Sequence, residues 1–234
     1  MFVKEKDFQS GFDIFATGSS VLRRTKEETQ KTRRAILEAA ERVFFDQGIT
    51  RTTLEQIARA AGMTRGAIYW HFQNKADLIN AVHAEVHLPM EEVFFRILDA
   101  DDAHALQRLE DHCAASFAQL HADERSRRVY SILLLKCEYS EEMSALTERL
   151  RVSKERITVG LEDFFQRLKK AGRISADAQP RVLALGLYAF MLGLYSDYLR
   201  YPDMYQVPID GEELIRYFFA PLKTGAATQQ TTAR

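Results

Sequence analysis

The chain has 234 residues, 46% hydrophobic and 28% charged, with a formal charge of −1. That length can bury a core as one large domain or two modest ones. Two cysteines exclude a disulfide framework and lack metal-ligand spacing, so Cys113 and Cys137 read as reduced core thiols of a cytoplasmic protein.

No apolar run approaches the ~20 residues of a membrane span, and MFVKEKDFQSGFDIFATGSS has no signal-peptide core. Residues 1–22 belong to no motif. They read as a disordered arm, or as an extension from an upstream start codon with Val21 as the true first residue. Charge is unevenly spread: Arg23 to Lys75 holds 11 Lys/Arg against 6 Asp/Glu, and the remainder holds 21 against 27. A basic block on an acidic body suits local attachment to phosphates.

Thr25 with Glu28 is a capping box opening a first helix to about Gln47, striped by Ile36, Ala39, Ala40, Val43 and Phe44 and ended by Gly48. Thr53 with Gln56 opens a second, whose apolar face is Leu54, Ile57, Ala58 and Ala61. Gly62 falls where a helix C-terminus wants a left-handed residue. Thr64 can cap a third helix, Arg65 to about Phe72, with Ile68 and Phe72 packing inward. Tyr69, Trp70 and His71 cannot all face inward on so short a helix, so polar-tipped rings are presented outward beside Arg65 and Lys75. Asn74 caps a fourth helix carrying Leu78, Ile79, Val82 and Val86, with a kink or break expected at Pro89.

Everything beyond reads helical too. Leu106, Leu109, Cys113 and Phe117 recur at helical spacing, and Val129, Ile132, Leu133, Leu135 and Lys136 suggest a more buried helix. A long helix is expected from about Ala145 to Ala171, another from about Ala178 to Arg200, and a last short one after Asp210. The Ala178–Arg200 segment is apolar nearly all round and so needs burial on two sides, one of them a partner subunit. No strand pattern appears.

The segment Gly62 to Phe72, GMTRGAIYWHF, followed by Asn74-Lys75, resembles the DNA-binding domain of the TetR family, in particular its subgroup of multidrug-efflux repressors. The match runs from about Thr32 to Met90, and Lys136-Cys137-Glu138-Tyr139 is a second, supportive one. The expected fold is all-α: an N-terminal three-helix helix-turn-helix DNA-binding domain at 30–90, then a helical-bundle ligand-binding and dimerisation domain at 91–222. Residues 223–234 read as a disordered tail. The resemblance implies a homodimer on a palindromic double-stranded operator, with Arg65, Gly66 and Tyr69 over base edges. Thr53, Thr64, Trp70, His71 and Lys75 would contact phosphates.

The same resemblance implies a cavity lined by His87, Met90, Phe94, Tyr130 and Leu134. Stripes of Ile157, Leu161 and Phe164, and of Tyr188, Met191, Leu192 and Tyr195, complete it. Such a wall suits a small, aromatic, hydrophobic ligand. Leu134 and Leu192 stand where the efflux repressors often place a polar group, implying a more apolar pocket. No nucleophile–base pair, metal spacing or phosphate loop points to an enzyme, a cofactor or a metal. The expected function is a ligand-released repressor of an efflux operon for drugs or phenolic compounds. The alternatives are a regulator of a catabolic or other non-efflux operon, and a constitutive DNA-binding protein without ligand.

Overall fold

The computed structural model describes residues 14–99, 103–137 and 141–231, and the side-chain surroundings of 27–86, 91–99, 103–137, 141 and 143–223. Among these residues there are nine α-helices and two short 3-10 turns, with no strand. The helices are α1 (Ile14–Gln47), α2 (Leu54–Ala60), α3 (Arg65–His71), α4 (Lys75–Asp99), α5 (Ala105–Ala122), α6 (Glu124–Leu135), α7 (Ser144–Lys170), α8 (Pro180–Arg200) and α9 (Ile209–Thr231).

Two apolar cores organise them. The first joins α1 to α4 through Ile36, Leu37, Phe44, Ile57, Ile68, Leu78 and Ile79, and takes in Val129, Ile132 and Leu133 of α6. The second gathers Leu98, Leu109, Phe117, Leu161, Phe164, Phe165, Leu187 and Phe219 from α4, α5, α7, α8 and α9. Helix α6 therefore contributes to the first core while Tyr130, one residue from Val129, packs against the second. The all-α, two-part architecture expected from the sequence is present.

Several element boundaries differ from the sequence reading. Helix α1 begins at Ile14, so the Thr25–Glu28 spacing lies inside a helix, where carbonyls four residues back already serve the backbone N–H groups. Helix α4 runs unbroken through position 89. Proline costs it one backbone hydrogen bond, and packing on α1, α5, α6 and α7 holds it together. Helix α9 is not short: it spans 23 residues and takes in most of the tail read as disordered, where no proline follows Pro221 to stop it. The first thirteen residues, Glu138 and Tyr139 lie outside the described part.

Helix α8, 21 residues long with mean hydropathy 1.5 over its most apolar window, is long and apolar enough to cross a membrane. That corrects the expectation that no run approaches this length. The charged residues Arg181, Asp197 and Arg200 lie near its ends, and Ala184, Leu187, Leu194 and Tyr198 bury one face in the second core. Helix α9 meets α5 at Gly211, where a Cβ would run into the fully buried Phe117 ring. Only glycine permits that approach.

Candidate DNA-binding surface and ligand cavity

The recognition unit is built by local capping. Thr53 accepts from the backbone N–H of Gln56 (3.2 Å) while its own N–H donates to the Gln56 side chain (2.7 Å), so α2 opens on a complete capping box. It closes on Gly62 at φ 68, where the N–H of Gly62 donates to Arg59 and that of Met63 to Ala58, the Schellman pattern. Thr64 then caps α3 by accepting from Ala67 (3.3 Å). Asn74 opens α4 by accepting from Asp77 (2.8 Å).

These turns leave one face of α3 to solvent. Ile68 and Phe72 point into the core, whereas Arg65, Gly66, Tyr69 and Trp70 are exposed, Trp70 by 71%. The Arg65 guanidinium sits 5.4 Å from the Tyr69 ring centroid, and its hydrogen bond to Tyr69 raises its pKa further. Trp70 meets His71 edge-on at 4.6 Å. Partial burial, then the nearby Arg33, lowers the His71 pKa, so the imidazole is neutral near pH 7. Thr53 and Thr64 are exposed at the two helix starts.

Lys75 is placed differently from the expectation. It is 9% exposed, and its ammonium donates to the carbonyls of Ile49 (3.2 Å) and Thr50 (3.1 Å) in the α1–α2 loop. A cation already spent on buried carbonyls is not turned outward to a phosphate; it fixes the start of α4 against the loop.

The second feature is a cavity of about 510 Å3, open to solvent on one side, between α4, α5, α6, α7 and α8. Nine of the residues expected from the sequence line it: Phe94, Tyr130, Leu134, Ile157, Leu161, Tyr188, Met191, Leu192 and Tyr195. Phe164 does not. It faces the second core at 1% exposure, beside the ring of Phe165, and that corrects its assignment. The side chains of His87 and Met90 lie outside the described surroundings.

The wall carries polar tips at defined places. Tyr195 and Ser116 share a hydrogen bond of 2.6 Å between their hydroxyls, and the Tyr130 ring meets the Tyr195 ring at 5.8 Å. Burial pushes the Tyr130 phenol up to about 12 and Tyr195 higher, so both remain protonated donors. Burial also lowers the pKa of His112, which is then neutral near pH 7.

The sequence matches the tetR family of bacterial regulatory proteins over residues 36–82 and the C-terminal region of MAATS-type transcriptional repressors over 104–223. The chain belongs to the tetR family. It is 35% identical over 199 residues to the HTH-type transcriptional regulator TtgR of Pseudomonas putida, covering 83% of this chain and 93% of that one. The crystal structure of NalD, secondary repressor of the MexAB-OprM multidrug efflux pump in Pseudomonas aeruginosa, superposes with TM-score 0.78 at 40% identity, covering 84% of this chain and 98% of NalD. SmeT in complex with triclosan gives 0.75 at 32%, covering 84% and 94%. SmeT is the repressor of the SmeDEF multidrug efflux pump of Stenotrophomonas maltophilia.

As a tetR-family member the chain is a DNA-binding regulator and not an enzyme. Sequence reasoning missed its α5 wall, formed by His112, Cys113 and Ser116, together with His83 of α4. A signal was present: His112 and Ser116 stand four apart, flanking the apolar stripe through Leu109 and Cys113 on α5. Two such polar residues beside a core stripe mark a wall facing something other than oil.

Proposed function

We propose that this tetR-family chain is a dimeric, cytoplasmic repressor of a multidrug or phenolic-compound efflux operon, released from a palindromic operator by an aromatic, largely apolar ligand. The observation that carries the reading is the cavity wall itself. Helix α4, which begins inside the recognition unit at Lys75, contributes His83 and Phe94 to that wall. One rigid element thus touches both sites, and a ligand that prefers one placement of α4 shifts the placement of α3. The size falls within the range of drug-sized ligand sites.

In this reading Arg65, Gly66 and Tyr69 face base edges. Thr53, Thr64, Trp70 and His71 face phosphates, and Lys75 acts as a positioning residue behind them. Dimerisation is supported by apolar residues left exposed along α8 and α9: Val182, Leu185 and Leu192, with Leu214 and Tyr217. The relatives NalD and SmeT, repressors of efflux pumps, support the choice of operon. The experiment is a footprint on the DNA upstream of the protein's own gene, with and without a panel of planar aromatic compounds. Protection that disappears with some of them supports the reading; protection that none of them disturbs overturns the ligand-released part of it.

A further inference from the structure

The charged groups on the cavity wall are unequal. Glu91 pairs with Arg156 at 3.1 Å. Arg151 is held between Glu148 (2.7 Å) and Glu155 (3.0 Å). Lys154 lines the same cavity on α7, and no carboxylate among the described residues lies within ion-pair distance of it. Its ammonium stands instead 5.4 Å from the ring centroid of Tyr188, itself a cavity residue. A cation over an aromatic face keeps an exposed ammonium turned toward the ring and its surroundings.

We propose that Lys154 makes this cavity selective for amphipathic anions: molecules with an apolar aromatic body and one carboxylate, sulfonate or phenolate. The body occupies the space between Ile157, Leu161, Leu187 and Met191, and the anionic group pairs with Lys154 beside Tyr188. The interior offers the body little else. Its deep polar tips are the mutually bonded hydroxyls of Ser116 and Tyr195, the protonated Tyr130 phenol, the His83 imidazole, and the imidazole of His112, which burial keeps uncharged. A second anionic ligand group has nowhere comparable to go, because Glu91 and the Glu148 and Glu155 carboxylates sit on or beside the same wall. One negative charge near the rim is therefore favoured, and a polyanion is not. This inference rests on the cavity being the ligand site.

Two dyes with the same aromatic body test it. 1-Anilinonaphthalene-8-sulfonate carries one sulfonate, and N-phenyl-1-naphthylamine lacks it; both brighten in apolar surroundings. Fluorescence titration of the full-length protein gives the ratio of their dissociation constants. Lys154 is exposed, so Lys154→Met keeps its aliphatic stem and leaves the fold alone. The substitution is expected to weaken the sulfonate dye roughly two- to fivefold, the size of one exposed ion pair, and to leave the neutral dye unchanged. Lys154→Arg retains the preference, and added salt erodes it in the parent protein.

An unchanged dye ratio in Lys154→Met, with both dyes bound, overturns the inference and leaves the ligand-site reading standing. A sulfonate dye that still binds when Met191→Trp fills the cavity and expels the neutral dye also overturns it, since the anion then sits elsewhere. Failure of both dyes to bind the parent protein overturns the ligand-site reading and the inference with it.

Discussion

Lys75 shows how a single residue changes meaning once its surroundings are known. A sequence displays a cation at the start of a helix; it does not display that the chain folds the carbonyls of Ile49 and Thr50 around it. Charge-assisted hydrogen bonds of this kind contribute about 1.5–3 kcal/mol, so Lys75→Met is expected to lower the stability of the DNA-side core by that order in urea unfolding. Operator affinity should fall through misplacement of α3, with the slope of log Kd against log salt unchanged. A slope reduced by about one would instead make Lys75 a phosphate contact. Cys113 gives a pH-dependent counterpart. Burial, then the neighbouring Glu110, raises its thiol from 9.0 to about 12. Below the lower value both folded and unfolded chains hold the proton and the contribution to stability is complete. As pH climbs between the two values the unfolded chain loses its proton first, so stability declines. Unfolding across that window should show this fall, reduced in Cys113→Val. Native labelling with iodoacetamide should reach the half-buried Cys137 and spare the buried Cys113.

Among elements, α6 carries the connections of greatest consequence. The Arg125 guanidinium on α6 donates to Glu41 of α1 and Glu85 of α4, each at 2.7 Å. Glu41 is only 5% exposed, whereas Arg125 and Glu85 are 38% and 32% exposed. Removing the guanidinium strands the buried carboxylate, so Arg125→Ala should cost about 1–3 kcal/mol. The value is kept low because Arg125 itself is partly screened by water. A double-mutant cycle in thermal unfolding should assign most of the coupling to Glu41, less to Glu85. None of this was legible in the sequence, since the partners lie 84 and 40 positions apart. What was legible at this scale is local. The Thr53–Gln56 box, the Gly62 turn and the Thr64 cap are each decided within six residues, and the structure reproduces all three. Helix ends that depend on the absence of a stop signal, such as the start of α1 and the end of α9, were misjudged.

For the whole molecule, the two apolar sides of α8 were readable from composition, and the structure buries one and leaves the other at Val182, Leu185 and Leu192. Gly193 lies on this outer side, where an added Cβ meets nothing within 4 Å of the same chain. Gly193→Trp should therefore leave the protomer folded, yet give a monomer with little operator affinity in sedimentation and binding measurements. A stable dimer with parent affinity would place the interface elsewhere. The cavity was half readable: its α7 and α8 walls follow helical stripes, whereas its α5 wall depends on contacts such as Ser116 with Tyr195, 79 positions away. Helix α6 adds a mechanical point. Arg125 fastens its first turn to α1 and α4, and Lys136, the residue that ends it, donates to the carbonyl of Phe45 and lies over that ring at 4.4 Å from the centroid. Between these moorings Tyr130, Leu133 and Leu134 face the cavity. A beam moored at both ends bows under load; it does not slide. If the cavity is the ligand site, as proposed, occupants pressing on its middle are expected to load the DNA-side core, and those nestling between α7 and α8 alone to bind without doing so. Under the proposed ligand-released reading, occupancy and gene release are thus separable quantities, and a screen for tight binders is expected to recover mute ligands alongside true inducers.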